Sequence, residues 1–280
     1  MAVKYSVLMS IYSKEQPQYL KLAIQSMVDQ TIKPDEFIIV KDGPLTYELD
    51  KVIDSYVSKY PELFTIIENK INLGLGPALK KGVDIARNEL IARMDSDDYA
   101  VPDRCEKQLK LFNMDNSLGM VGTYEAEFID RIENVISIHK VPEKHEDIKK
   151  FMRRRCAILH PTVIFKRSEV IRAGNYQDKS NFPVYEDYDL FARMIFDANV
   201  NCYNIQESLY YIRTSEDFFA RRGGKTYAKT VLRFKWHLFM KGNMSLMDFI
   251  VSGLGQAFVS ILPNKLRKGF YMRFLRGDIK

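Results

Sequence analysis

Cysteine is scarce and scattered in this 280-residue chain. Cys105, Cys156 and Cys202 are the three present, and no two form a CxxC pair. That excludes a sequence-evident zinc site and a disulfide framework, and it fits a reducing compartment. The four histidines, His139, His145, His160 and His237, show no ligand spacing. The chain also lacks a long apolar run. Its longest mostly apolar stretch, 249–262, is broken by Gly, Ser and Gln and falls short of the ~20 residues that span a bilayer. The start, MAVKYSVLMSIYSKEQ, has no basic n-region, apolar h-region or cleavage site of the secretory kind. A cytoplasmic protein is the expectation. Internal repeats and low-complexity segments are missing too. So is any GxGxxG or P-loop pattern, since Gly74 and Gly76 in NLGLGP read as turn-makers.

What remains is the composition of an ordinary globular domain, 46% hydrophobic and 28% charged, so disorder is not indicated. The net charge of +6 is unevenly placed. Residues 220–280 carry +11 and residues 1–219 carry −5. A basic end on an acidic body points to an anionic partner, either nucleic acid or a membrane surface. No nucleic-acid recognition module is visible. The end of the chain instead combines apolar Phe249, Ile250, Leu254, Phe258 and Ile261 with Lys265, Arg267, Lys268, Arg273 and Arg276, and with Phe270, Tyr271 and Phe274 among the bases. That pattern suits an amphipathic segment lying on anionic lipid. A helix packed on the domain with a solvated basic face is the alternative.

Along the first 94 residues, strand and helix patterns alternate with short connections. Strands are expected at 5–12, 36–43, 63–69 and 90–94, and helices at 17–31, 46–59 and 78–88. This order predicts an α/β fold, a parallel sheet with helices on both faces. The middle is less regular. A helix at 102–115, a hairpin of 118–130 with 135–141, a short strand at 161–166, a helix at 185–198 and a strand at 200–213 are expected, with helices dominating from 225.

At the end of the fourth strand the sequence reads IARMDSDDYAVPD, and Asp95, Asp97, Asp98 and Asp103 crowd together. Pro102-Asp103 opens a helix, which accounts for one aspartate as a cap or first-turn residue. The others need a cation, and hard oxygen ligands suit Mg²⁺, Mn²⁺ or Ca²⁺. An EF-hand count from Asp95 fails, because Tyr99 stands at position 5 and Ala100 at position 6, where that loop needs glycine. An ion shared with substrate phosphates needs only one or two protein carboxylates. In open parallel sheets ligands bind at the carboxyl ends of strands. Asp42 and the 95–98 cluster are both expected there.

The ordered series SVLMSIY, QSMVDQT…EFIIVKDG, NLGLGPALKKG, IARMDSDD and HPTVIFKRSEVIRAGNY…YEDYDLFARM resembles glycosyltransferase family 2 over about residues 4–213. The resemblance implies a GT-A fold, Rossmann-like, with a nucleotide-sugar half (1–100), an acceptor half (101–219) and a basic amphipathic helical region (220–280). It implies that Ser10, Asp42, Asp95, Asp97 and Arg222 bind the nucleotide-sugar, with Asp95 and Asp97 holding Mn²⁺ or Mg²⁺. It implies that Asp187 is the catalytic base of an inverting transfer, and that Asp98, His160 and Glu186 meet acceptor or substrate. The chain departs from the family at Lys41-Asp42-Gly43-Pro44, where Asp-Asp-Gly-Ser is frequent, so one carboxylate is missing. By residue type alone, Glu186, Asp187 and Asp189 would merely favour the dipole of their helix. His160-Pro161 reads equally as a packed histidine at a strand start. Arg221-Arg222-Gly223-Gly224 reads as an arginine pair able to meet a diphosphate, or as a surface loop.

The function implied is transfer of a hexose, Glc or Gal, from a UDP-sugar to a lipid-linked saccharide such as GlcNAc-diphospho-undecaprenol, in bacterial O-antigen, capsule or exopolysaccharide synthesis. The enzyme is then expected at the cytoplasmic face of the cell membrane, with no nucleic-acid partner. A nucleotidyltransferase and a non-enzymatic calcium-binding protein are the alternatives.

Overall fold

The computed structural model describes residues 3–178, 182–214, 223–263, 266, 267 and 269. The first strands are β1 (Tyr5–Ile11), β2 (Glu36–Lys41), β3 (Phe64–Glu68) and β4 (Leu90–Met94). Between them run α1 (Pro17–Val28), α2 (Tyr47–Lys59) and α3 (Leu75–Ile85). Each begins where local chemistry allows. Pro17 opens α1, where its missing N–H costs nothing, and the Thr46 hydroxyl caps α2 by accepting from Leu49 N at 3.4 Å.

Helix α3 starts three residues earlier than its apolar pattern predicts. Gly74 precedes it at φ 95°, a conformation open to glycine, and Pro77 falls in the first turn, where it is tolerated. The helix ends at Ile85 because the next turn is diverted: Arg87 N donates to the buried Glu36 carboxylate at 2.9 Å.

The sheet has nine strands in the order β3-β2-β1-β4-β8-β6-β9-β5, with β7 against β6. The strands β1 to β4 are mutually parallel. The core residues of β1, β2 and β4 are buried on both faces, as crossover helices require, while β3 at the sheet edge is half-buried. The chain moves outward from β1 through β2 to β3, then returns to place β4 on the other side of β1. That reversal opens a crevice at the carboxyl ends of β1 and β4, the standard place for a ligand in such sheets.

Beyond β4 lie β5 (Tyr99–Ala100), α4 (Arg104–Met114), β6 (Leu118–Phe128), β7 (Val135–His139) and α5 (His145–Met152). Then follow β8 (Ile164–Lys166), α6 (Arg167–Arg172), α7 (Glu186–Ala192) and β9 (Asn201–Arg213). The hairpin of β6 and β7 forms as expected. The strand expected over 161–166 is shortened, because His160–Thr162 make a 3₁₀ turn that the Thr162 hydroxyl closes on Leu159 O at 2.8 Å. The helix expected over 185–198 is continuous, but its last turn widens to a π turn at Arg193–Asp197. The basic end contributes α8 (Lys225–Met240), α9 (Leu246–Asp248) and, after a π turn, α10 (Gly255–Ile261). Ala228, Val231, Phe234, Leu238, Met244 and Ala257 join the same core as β6, α5 and α7.

Candidate functional site

The crevice at the β1–β4 reversal is lined first by the loop after β4. Arg93 is fully buried within β4, and its guanidinium turns back onto Asp95 and the Met94 carbonyl. A cation inside an apolar strand must find a partner, and Asp95 is the carboxylate that pairs with it. Asp95 N donates to the Tyr210 hydroxyl of β9 at 3.1 Å. Ser96 Oγ donates to Glu15 from the β1–α1 loop at 2.8 Å. Asp97 is pushed up to about 7, first by burial and then by the negative charges of Asp95 and Glu15. The negative charge at Asp97 is therefore poorly offset by the protein alone, and a divalent cation would relieve it.

Asp98 takes a different place. It is 1% exposed, accepts from Tyr210 Oη at 2.9 Å and from Arg213 N at 2.7 Å, and is held well above the usual carboxylate range by burial and by Asp97. Both of its oxygens are engaged in bracing the loop onto β9, whereas the sequence reading expected a substrate contact. Arg213 completes the brace. Its Nε donates to the Asp97 carbonyl at 3.0 Å, and its guanidinium stacks between the rings of Tyr19 and Phe128, 3.8 and 4.5 Å from their centroids. Asp103 does lie outside the cluster. It occupies the N-cap position of α4 without a capping bond and pairs with Lys107 at 2.9 Å.

On the other side of the crevice, Asp42 follows β2 and is buried. Its carboxylate accepts from Asn69 Nδ2 at 3.0 Å, Leu73 N at 2.8 Å and Gly74 N at 2.7 Å. These bonds set the loop that launches α3. Lys41, standing where the family often has a carboxylate, bridges Asp50 and Glu68 at 2.9 and 2.8 Å. Ser10 is half-buried near the carboxyl end of β1, opposite Val40.

The acceptor-side candidates reach the same crevice from α7 and the 3₁₀ turn. Glu186 opens α7 beside Gly76. A Cβ on Gly76 would lie 3.3 Å from the Glu186 side chain and 2.5 Å from Gln177 O. Gly76 thus permits α3 and α7 to approach, a role its place in a Gly-rich turn did not disclose. Asp187 is half-buried, and its Oδ1 accepts from Tyr188 N at 2.7 Å. His160 is buried with Nε2 2.8 Å from Tyr176 Oη. Burial, helped by Arg93, holds it well below its ordinary value, so it is a neutral imidazole.

Tyr176 ties the two sides together. Its hydroxyl is pushed up by burial and then by Asp187 and Asp95, against the pull of Arg93. Asp95 and Asp187 therefore act on one buried phenol. Of the expected residues, Asp95, Asp97, Glu186, Asp187 and His160 meet around this crevice, and Arg222 lies outside the described residues. Glu15, Tyr176, Tyr210 and Arg213 escaped the sequence reading. Only Arg93 left a signal, as a charge inside a buried strand.

Among the described residues no three His, Cys, Asp or Glu side chains are gathered as a complete metal cage. The donor set still fits a hard cation that takes the rest of its shell from a diphosphate, since such ions are held by one or two carboxylates plus phosphate.

The family model for glycosyl transferase family 2 matches residues 6–172. A UDP-Gal:alpha-D-GlcNAc-diphosphoundecaprenol beta-1,3-galactosyltransferase of Escherichia coli is 35% identical over 273 residues, covering 98% of this chain and 97% of its own. The amylovoran biosynthesis glycosyltransferase AmsE of Erwinia amylovora is 32% identical over 226 residues, covering 81% of this chain and 82% of its own. Among solved structures, S. aureus TarS 1-349 in complex with UDP-GlcNAc superposes with a TM-score of 0.69 at 14% identity, over 97% of this chain and 76% of that one. The mannosyltransferase PcManGT from Pyrobaculum calidifontis, in complex with GDP-Man and Mn²⁺, gives 0.62 at 13%, over 91% and 69%. At such identities these two show the fold alone, which is GT-A.

Proposed function

The chain belongs to glycosyl transferase family 2, and on that premise we propose that it transfers glucose or galactose from a UDP-sugar to a lipid-linked saccharide, with GlcNAc-diphospho-undecaprenol as the first acceptor to test. It is a glycosyltransferase by family and by its relatives in polysaccharide synthesis. The observation that supports the mechanistic reading is the loop after β4, where Asp95 pairs with Arg93 and donates its N–H to Tyr210, while Glu186, next to Asp187, packs beside Gly76 at the start of α3. The 35% identity along nearly the whole chain supports the substrate class.

In this reading the UDP-sugar lies over the carboxyl ends of β1 and β4. The acceptor hydroxyl attacks the anomeric carbon from the face opposite UDP. The new C–O bond forms as the bond to the diphosphate oxygen breaks, and the hydroxyl proton passes to Asp187. Arg93 keeps Asp95 oriented, while Tyr210 and Arg213 hold the loop in place before substrate arrives. Asp95 and Asp97 would hold Mn²⁺ or Mg²⁺, which when bound draws charge from the departing UDP.

The acceptor chemistry also bears on location. Among the described residues no helix is long and apolar enough to cross a membrane. Instead Trp236, Met240, Met247, Val251, Leu254, Phe258 and Ile261 of the C-terminal helices are each about half or more exposed. Beside them in sequence stand the bases that give residues 220–280 a net +11. An apolar face with a basic flank fits peripheral attachment to an anionic bilayer, placed at the cytoplasmic side of a bacterial cell membrane. The remaining bases of the tail and its three interleaved aromatics lie outside the described residues, except Arg267. That residue is buried and donates to the Ser260 and Leu262 carbonyls at 3.1 Å, so it is structural.

The test is UDP release from UDP-galactose or UDP-glucose with Mn²⁺ and a lipid-linked GlcNAc acceptor. Transfer is expected for the wild type and its loss in Asp187→Asn, with UDP affinity retained. Undiminished turnover in that variant would remove Asp187 as the base.

A further inference from the structure

Among the described residues Lys235 is the one lysine that the fold buries completely, and the transfer chemistry leaves it unused. It lies on α8, in the basic region, yet points inward. Its ammonium donates to the Arg154 carbonyl at 2.8 Å and to the Tyr188 hydroxyl at 2.9 Å. It sits 4.5 Å from the Tyr188 ring centroid. Tyr188 Oη in turn donates to the Met152 carbonyl at 2.5 Å. The partners of this buried cation are thus a phenol and a carbonyl, not a carboxylate. For stability alone such a group is a poor choice, because an apolar side chain of the same length would avoid the desolvation cost.

What the arrangement secures is the helix that carries the candidate base. Helix α7 is seven residues long and opens into a π turn, so few main-chain bonds fix its orientation. Tyr188 follows Asp187 directly, and its N–H donates to the Asp187 carboxylate. Any constraint on the Tyr188 ring is therefore passed to Asp187. Three segments meet at the ammonium: α8, the end of α5 and α7.

We propose that Lys235 is a positioning residue for the transfer reaction, which through the Tyr188 hydroxyl holds α7 in the orientation that Asp187 needs. The inference rests on Asp187 being the base. The basic C-terminal region then acts on its inner side as part of the acceptor site and on its outer side as a lipid-facing surface.

Lys235→Met, Tyr188→Phe and the double variant test this in the full-length protein, read by kcat, UDP affinity and amide hydrogen exchange. Each single variant should lose at least tenfold in kcat with the UDP Kd within about twofold, and the double variant should be no worse than either, as expected for residues acting through one contact. Amides of residues 186–192 should exchange faster while those of β1 and β4 are unchanged. Wild-type kcat in Lys235→Met overturns the proposal, as does unaltered exchange in α7, whatever the substrate proves to be. A parallel loss of kcat, UDP affinity and sheet protection also overturns it, since that marks general unfolding. Should Lys235→Met not fold, Tyr188→Phe decides on the same two readouts. Asp187→Asn is measured alongside: full activity there would refute the base, while exchange in α7 still reports on Lys235.

Discussion

The regions proposed as donor half (1–100) and acceptor half (101–219) share one sheet but are held together differently. In the donor half, β1 pairs with β2 over six successive positions and with β4 over five, without a register shift. Apolar side chains fill both faces. In the acceptor half, β8 is three residues long, and β6 meets β9 with repeated shifts. Its segments are joined by side chains reaching main chain: Gln108 Nε2 donates to the Val121 and Thr162 carbonyls at 2.7 and 2.9 Å, and Asn204 Nδ2 to Pro142 and Ala157 at 2.7 and 2.9 Å. A backbone ladder depends little on which apolar residues decorate it. Ties of the second kind depend on single side chains. Under the proposed division, the first half would keep a common nucleotide platform, while the second would be shaped residue by residue for an acceptor.

Substitutions can break or sharpen that contrast. The largest effect is expected for Asp187→Asn, about 10²–10⁴-fold in kcat, the usual worth of a positioned general base, with UDP binding by calorimetry unchanged. Arg93→Met attacks the proposed donor half at its fully buried arginine. It should cost about 3 kcal/mol, read from the denaturant midpoint, because it strands the carboxylate and two carbonyls it serves; a cost near zero would show that the ladder alone carries the loop. Gln108→Leu attacks a tie of the acceptor half and should cost about 2 kcal/mol by the same measurement, since two buried carbonyls lose their donor.

A pH effect is expected for Lys235, which burial brings from 10.5 down to about 7. The unfolded chain binds the proton up to 10.5 and the folded one only to about 7. Burial of the charge therefore weighs fully against folding below pH 7, and stability gained from its release grows from there to 10.5. The stability advantage of Lys235→Met over wild type, followed by Tm, should thus be greatest at or below pH 7 and fade toward pH 10. The smallest effect on folding belongs to Phe258→Glu, within about 0.5 kcal/mol because that side chain is already exposed. Co-sedimentation with anionic vesicles should nonetheless fall several-fold, and unchanged sedimentation would dismiss this face as the lipid contact.

Legibility in the sequence follows the same division. The strands of the donor half stand out because apolar runs bounded by Gly, Pro and Asp leave little choice, and β4 emerges at its predicted limits. The short β8 and the π turn after α7 were blurred, because Thr162 and Arg193 decide them through contacts with Leu159, Ala173 and Asn175 that no periodicity records. In the site, the spacing of Asp95 and Asp97 was visible at once. Glu15, Tyr176, Tyr210 and Arg213 were not, since each matters only through a residue far along the chain. Asp98 is a different case: the resemblance implies an acceptor or substrate contact, and the sequence alone did not show that both of its oxygens accept from Tyr210 and Arg213.

The order of strands and helices, the carboxylates at a strand end and the uneven charge were determined by the sequence itself, because hydrophobic period, turn residues and net charge are local or additive properties. Tertiary structure alone decided which carboxylates remain available at the crevice, that Lys41 is spent on Asp50 and Glu68, and that a lysine from the basic end reaches the helix of Asp187. Those outcomes depend on burial and on the distance between residues remote in the chain, and neither exists until the sheet has closed around them.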